Sequence, residues 1–115
     1  LERDQDAQNL LEIYLLGADC KVTKVISLDE ATTHLSSQQT DLLLVGLRGD
    51  QSDKGIPGKL QNSGYTGPLI AIGTREDRAN YRDILNLGYT DLIVKPFKRT
   101  ELLRELGAFL KLGKR

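Results

Sequence analysis

The sequence predicts an α/β fold: a doubly wound parallel sheet with helices on both faces. Three observations predict it. Short apolar segments alternate with helical patterns of roughly 10 to 15 residues, the order of right-handed strand–helix–strand crossovers. Two of the runs, Leu42 to Val45 and Leu69 to Ile72, are apolar on both parities, as strands covered on both faces require. The helical patterns carry stripes at helical spacing, with start and stop residues at their ends.

In chain order, Ala7, Leu10, Leu11, Tyr14 and Leu15 recur at helical spacing and Gly17 follows as a stop, which predicts a helix over roughly 5 to 17. Lys21 to Ile26 alternates and is rich in β-branched residues, the pattern of a strand with one less buried side or an edge position. Ser27 with Glu30 makes a capping box, and Leu28, Ala31 and Leu35 supply the stripe of a second helix that ends near Ser36. Asp41 leads into a central strand, Leu42 to Val45. Ile56 with Leu60 marks a third helix from about 55 to 63, stopped by Asn62, Ser63 and Gly64. Pro68 introduces the next strand, Leu69 to Ile72, and Thr74 with Asp77 forms a capping pattern ahead of a helix that ends at Gly88. Leu92, Ile93 and Val94 make a short buried strand, and Leu102, Leu103, Leu106, Phe109 and Leu110 give the clearest helical stripe. A doubly wound sheet wants one more strand before the first helix, where only Leu1 and Glu2 remain, so that strand is expected to be truncated or missing in this chain.

The 115 residues suit one domain spanning 1–115, with no linker and no internal repeat. Lys plus Arg and Asp plus Glu are both 16, and zero net charge gives no field to draw nucleic acid or anionic lipid. The apolar runs fall far short of the roughly 20 residues of a membrane-spanning helix. Cys20 is a single cysteine, so no internal disulfide is possible and a reducing, cytoplasmic setting is expected. A start at Leu1 without a signal-peptide pattern reads as a domain excised from a longer chain.

One segment is more specific than any periodicity: Gly88-Tyr89-Thr90-Asp91-Leu92-Ile93-Val94-Lys95-Pro96-Phe97, followed by Glu101-Leu102. It resembles the fifth strand, Lys-Pro-Phe turn and last helix of the response regulator receiver domain (CheY-like superfamily) of two-component signalling. Asp41 to Val45, Gly67 to Ile70 and Asp6 to Leu16 resemble that family's third and fourth strands and first helix, so the resemblance covers nearly the whole chain. It implies a flavodoxin-like five-stranded parallel sheet whose function sits beyond the carboxyl ends of the strands.

At those ends the chain departs from the family. The resemblance implies two acidic residues after strand one that hold Mg²⁺, and Glu2 and Arg3 stand there. It implies a phosphorylated aspartate at the end of strand three, and Gly46 stands there. It implies a Ser or Thr at the end of strand four, where Gly73 stands with Thr74 one place late, and an aromatic at Leu92. Lys95 alone matches, 22 residues after Gly73 and 49 after Gly46. Mg²⁺ needs about six oxygen ligands, usually with one or two carboxylates among them, so these losses predict neither useful metal affinity nor phosphoryl transfer. No cofactor and no enzymatic activity are expected. Lys95 and Arg3 are expected to find salt-bridge partners among Glu2, Asp4, Asp50 and Asp53, or Lys95 simply inherits its place in the turn. The resemblance also implies a cis Lys95-Pro96 bond.

Other signals weigh less. Asp50, a conceivable displaced acceptor, follows Arg48 and Gly49 after the apolar run has stopped, and Asp41 lies at the opposite end of the strand. Gly46, Gly49, Gly55 and Gly58 with Lys59 do not match a phosphate-binding loop and read as a flexible connection. His34 has no second ligand nearby in sequence and is expected to be exposed; the basic residues Lys98, Arg99, Arg104, Lys111, Lys114 and Arg115 suit a helix C-terminus.

The expected function is therefore a non-phosphorylatable pseudo-receiver that binds a protein partner or pairs with itself, within a larger regulator or sensor kinase. The resemblance places its surface on the family's fourth helix, fifth strand and fifth helix, roughly 78 to 110, with Arg78, Tyr81, Arg82, Leu92, Phe97, Arg99 and Leu103 as candidates. The alternative is a receiver phosphorylated at a non-standard residue such as Asp50, or gated by a small ligand in the vacated pocket. A flavodoxin-like enzyme of other chemistry lacks a visible nucleophile, base and orienter.

Overall fold

Strands apolar on both parities need cover on both faces, and the chain supplies it from helices that alternate with them. The computed structural model describes residues 5–17, 22–25, 27–49 and 51–109. Its elements are α1 (Gln5–Leu16), α2 (Leu28–Ser37), β1 (Leu43–Gly46), α3 (Ser52–Asn62), β2 (Leu69–Gly73), α4 (Arg75–Ala79), α5 (Tyr81–Asn86), β3 (Asp91–Val94) and α6 (Arg99–Leu106). Among the described residues the sheet has three strands in the order β1-β2-β3, and both pairings are parallel. This is the doubly wound parallel architecture expected from the alternation.

Register divides the apolar residues between two cores. Val45, Ala71 and Leu92 lie in one row across the sheet and face a core completed by Ala31 of α2, Ile56 and Leu60 of α3, Ile84 of α5, Tyr65 and Tyr89. Ile70, Ile72 and Ile93 face the other side, where Leu11 and Leu15 of α1 and Leu102 and Leu106 of α6 close over them with Phe97. Tyr14 meets Phe97 edge-to-face, ring centroids 6.3 Å apart.

Four expectations change in detail. The predicted strand over 21–26 forms no ladder with the described strands in its described part, residues 22–25; Lys21 and Ile26 lie outside the described residues. That segment is tied to α1 instead: Gln8 Nε2 donates to the Val25 carbonyl at 3.1 Å, Lys24 pairs with Glu12 at 3.0 Å, and Val22 and Val25 pack into opposite cores. The third helix begins at Ser52 rather than near 55 and carries Pro57 inside it, so half of the expected flexible connection is helical. Pro57 has no N–H for the carbonyl four residues back, Asp53, and the Tyr89 hydroxyl donates to that carbonyl at 2.8 Å. The helix predicted up to Gly88 is broken at Asn80 into α4 and α5. The Asn80 side-chain amide donates to the Glu76 carbonyl at 3.3 Å, the local competition that makes asparagine a poor helix-interior residue. The last helix stops at Leu106, with Gly107 following. Phe109 packs on the α1–α6 side beyond it, and Leu110 lies outside the described residues.

Candidate functional site at the carboxyl edge of the sheet

Register brings three of the sequence-predicted positions to one edge. Gly46 closes β1 opposite Ile72, Gly73 closes β2 opposite Val94, and Lys95 follows β3 directly, its N–H donating to the Gly73 carbonyl at 2.7 Å. The Leu47 N–H donates to the Ile72 carbonyl at 2.8 Å, so the ladder runs to the ends of the strands and holds these residues side by side. Gly73 is buried, while Gly46 and Lys95 are half-buried. Glu2 and Arg3, with Asp4 and Asp50, lie outside the described residues. The Lys95–Pro96 bond is cis, as the resemblance implies.

Asp53 is buried, and its carboxylate faces the loop that leaves β1: Oδ1 accepts from the Arg48 N–H and Oδ2 from the Gly49 N–H, both at 2.8 Å. Gly49 has φ +79, the left-handed conformation that turns the loop back over this carboxylate. Asp53, one of the four acids expected near Lys95, thus turns its carboxylate to backbone donors. At the end of β2, Thr74 is the N-cap of α4, and Asp77 Oδ2 accepts from the Thr74 N–H at 2.8 Å and from its hydroxyl at 3.2 Å. Spacing showed the Thr74/Asp77 pair; it did not show that Asp77 lies over Gly73.

The chemistry available at this edge is limited. Gly46 and Gly73, which close β1 and β2, carry no nucleophilic side chain. Asp53 and Asp77 are both turned onto donors of their own loops, which does not fit a hard cation wanting several free oxygens. Among the described residues no group of three His, Cys, Asp or Glu could hold a metal ion.

The expected interaction face separates by burial. Arg78, Tyr81, Arg82 and Arg99 are exposed, and Leu103 is half-buried against the α1–α6 core. Leu92 and Phe97, each 8 % exposed, belong to the two cores and offer a partner almost nothing, because the strand register and the turn after β3 direct them inward. The Tyr81 hydroxyl donates to Asp91 Oδ1 at 3.0 Å, and this bond, helped by the carboxylate's charge, pushes the Tyr81 phenol up. His34 is half-buried in the last turn of α2 rather than exposed, and Asp41 sits at the amino end of β1, away from the site.

Solved structures match this arrangement over nearly its full extent. The receiver domain of a Francisella response regulator superposes with TM-score 0.79 at 16% identity, covering 96% of this chain and 92% of that one. A two-component response regulator from Clostridium difficile reaches TM-score 0.82 at 21% identity, over 96% of this chain and 91% of that one. The fold is that of receiver domains. The receiver domain of a sensor histidine kinase from Pseudomonas aeruginosa, solved with a magnesium ion coordinated in its active-site cleft, has TM-score 0.79 at 26% identity over 95% of this chain and 92% of that one. No protein-family description matches the sequence, and no curated protein matches it. No described helix is long and apolar enough to cross a membrane.

Proposed function

We propose that this chain is a receiver-type regulatory domain of a two-component signalling protein that takes no phosphoryl group and acts by protein contact rather than by catalysis. The observation that carries the reading is the juxtaposition of Gly46 and Gly73 at adjacent strand ends beside Lys95. A phosphoryl transfer needs an acceptor oxygen and neutralisation of the developing charge, and the two glycines supply no acceptor, while the Thr74 hydroxyl one place on is bonded to Asp77. The magnesium held by the Pseudomonas domain has no counterpart set among the described residues of this chain. The domain would work in the reducing cytoplasm, within a larger regulator or sensor kinase.

Its partner is another signalling domain or a second copy of itself. The docking surface is the exposed edge of α4, α5 and α6, carrying Arg78, Tyr81, Arg82 and Arg99 and excluding Leu92 and Phe97. The test is incubation with acetyl phosphate and Mg²⁺, read by intact mass. An unchanged mass is expected; a gain of one phosphoryl group, at Asp50 or elsewhere, overturns the proposal.

A further inference from the structure

One residue ties together three segments that lie far apart along the chain. Asp53, buried in the first turn of α3, accepts with its carboxylate from the Arg48 and Gly49 N–H groups, both at 2.8 Å. With its main-chain carbonyl it accepts from the Tyr89 hydroxyl, also at 2.8 Å. The side-chain bonds hold the stretch that leaves β1; the main-chain bond holds α3 to the connection that enters β3. Tyr89 is a fixed anchor, since its ring is buried in the same core as Ile56 and Leu60 of α3, and a Cβ on the neighbouring Gly88 would lie 2.8 Å from Pro57 Cβ. The carbonyl depends on this anchor because Pro57 has no N–H to give it. A shift of the first turn by an ångström carries all three bonds out of hydrogen-bond range together.

We propose that Asp53 is a two-ended latch, a conformational device that couples Arg48 and Gly49, just beyond the end of β1, to Tyr89. While the first turn of α3 is docked on the Tyr89 hydroxyl, the carboxylate is presented to the two amides and holds them closed. Undocking of that turn and release of Arg48 and Gly49 are one cooperative opening rather than two independent ones. Tyr89 touches neither amide, so it acts on them only as a positioning residue. The device does not depend on whether the domain takes a phosphoryl group, and it stands or falls separately from the preceding proposal.

The experiment is native-state amide hydrogen exchange, read by NMR on the full ¹⁵N-labelled chain. Asp53→Ala removes the acceptor and sets the scale for unlatched Arg48 and Gly49 amides. Tyr89→Phe leaves the carboxylate and both amides intact, yet exchange at Arg48 and Gly49 is expected to accelerate roughly tenfold, the effect of one buried hydrogen bond. Leu102→Val loosens the core on the other face of the sheet and is expected to leave both amides within about twofold, because a local opening is insensitive to global stability. Pro57→Ala returns an N–H to the Asp53 carbonyl, and in that background Tyr89→Phe should no longer change the two amides. The proposal is overturned if Tyr89→Phe leaves Arg48 and Gly49 within about twofold of the unaltered chain. It is equally overturned if Leu102→Val accelerates them as much as Tyr89→Phe does, or if Pro57→Ala fails to abolish the effect of Tyr89→Phe.

Discussion

Replacing Tyr89 by Phe removes one hydroxyl and nothing else, and the structure says what that hydroxyl is for. Tyr89 is 3 % exposed, and its O–H donates at 2.8 Å to the Asp53 carbonyl, which lies four residues before Pro57 and so receives no helical N–H from it. A buried carbonyl deprived of its donor costs about 1–3 kcal/mol, while the retained ring leaves little cavity; we expect a loss of about 2 kcal/mol. With a urea slope of about 1–3 kcal/mol/M, the unfolding midpoint followed by circular dichroism falls by about 1 M. The origin of the effect is tested by a double-mutant cycle with Pro57→Ala. Alanine restores the N–H at position 57 and keeps the Cβ that packs near Gly88, so Tyr89→Phe in that background should cost about 1 kcal/mol less. Additivity of the two changes within about 0.5 kcal/mol would refute the idea that Tyr89 replaces the donor that proline lacks.

Asp53→Ala removes the acceptor of two charge-assisted bonds to Arg48 and Gly49 and should cost about 2–3 kcal/mol, with Asp53→Asn losing about half as much; equal losses in urea unfolding would contradict the two-bond account. Gly55 and Gly58 lie inside α3 with open space where an added methyl would sit, so each change to Ala should stabilise by about 0.5–1 kcal/mol, seen as a melting temperature raised by a few degrees. Gly88→Ala should do the opposite, because φ is +118 and the new Cβ would lie 2.8 Å from Pro57 Cβ; unchanged stability there would be the contrary result. Burial, joined by the charge of Asp41 and opposed by a bond to the Leu43 backbone, pushes the Tyr65 phenol up to about 12; burial and the charge of Asp53 push Tyr89 up as well. The unfolded chain releases these protons near about pH 10 and the folded chain later, so their contribution is complete below about pH 10 and is lost as pH rises toward 12. Urea midpoints should decline over that window and do so less in Tyr65→Phe; a flat profile in the unaltered protein would exclude the linkage.

Most of the elements were legible in the sequence because they depend on neighbours a few residues away. Helical stripes, the Ser27 and Thr74 caps, and the two-parity runs of β1 and β2 are patterns of period and spacing. Misreadings arose where a local signal was overruled or was itself too short. Asn80 divides a stripe that looked continuous, α3 begins before its apolar residues do, and the alternation at 21–26 does not by itself secure a place in the ladder. The candidate edge was half legible: counting along the chain aligns Gly46, Gly73 and Lys95, but counting cannot tell that Leu92 and Phe97 face inward.

The sequence by itself determined the fold class, the strand ends at which side chains are missing, and the cis Lys-Pro turn implied by its motif. Only the tertiary structure decided which side chains meet beside those strand ends. Asp77 lies over Gly73, Asp53 turns to the loop amides of Arg48 and Gly49, and Tyr89 reaches back 36 residues to Asp53. The physical reason is that hydrogen-bond satisfaction and exclusion of volume are settled among groups close in space, and folding brings those groups together without marking the pairs in the linear chain.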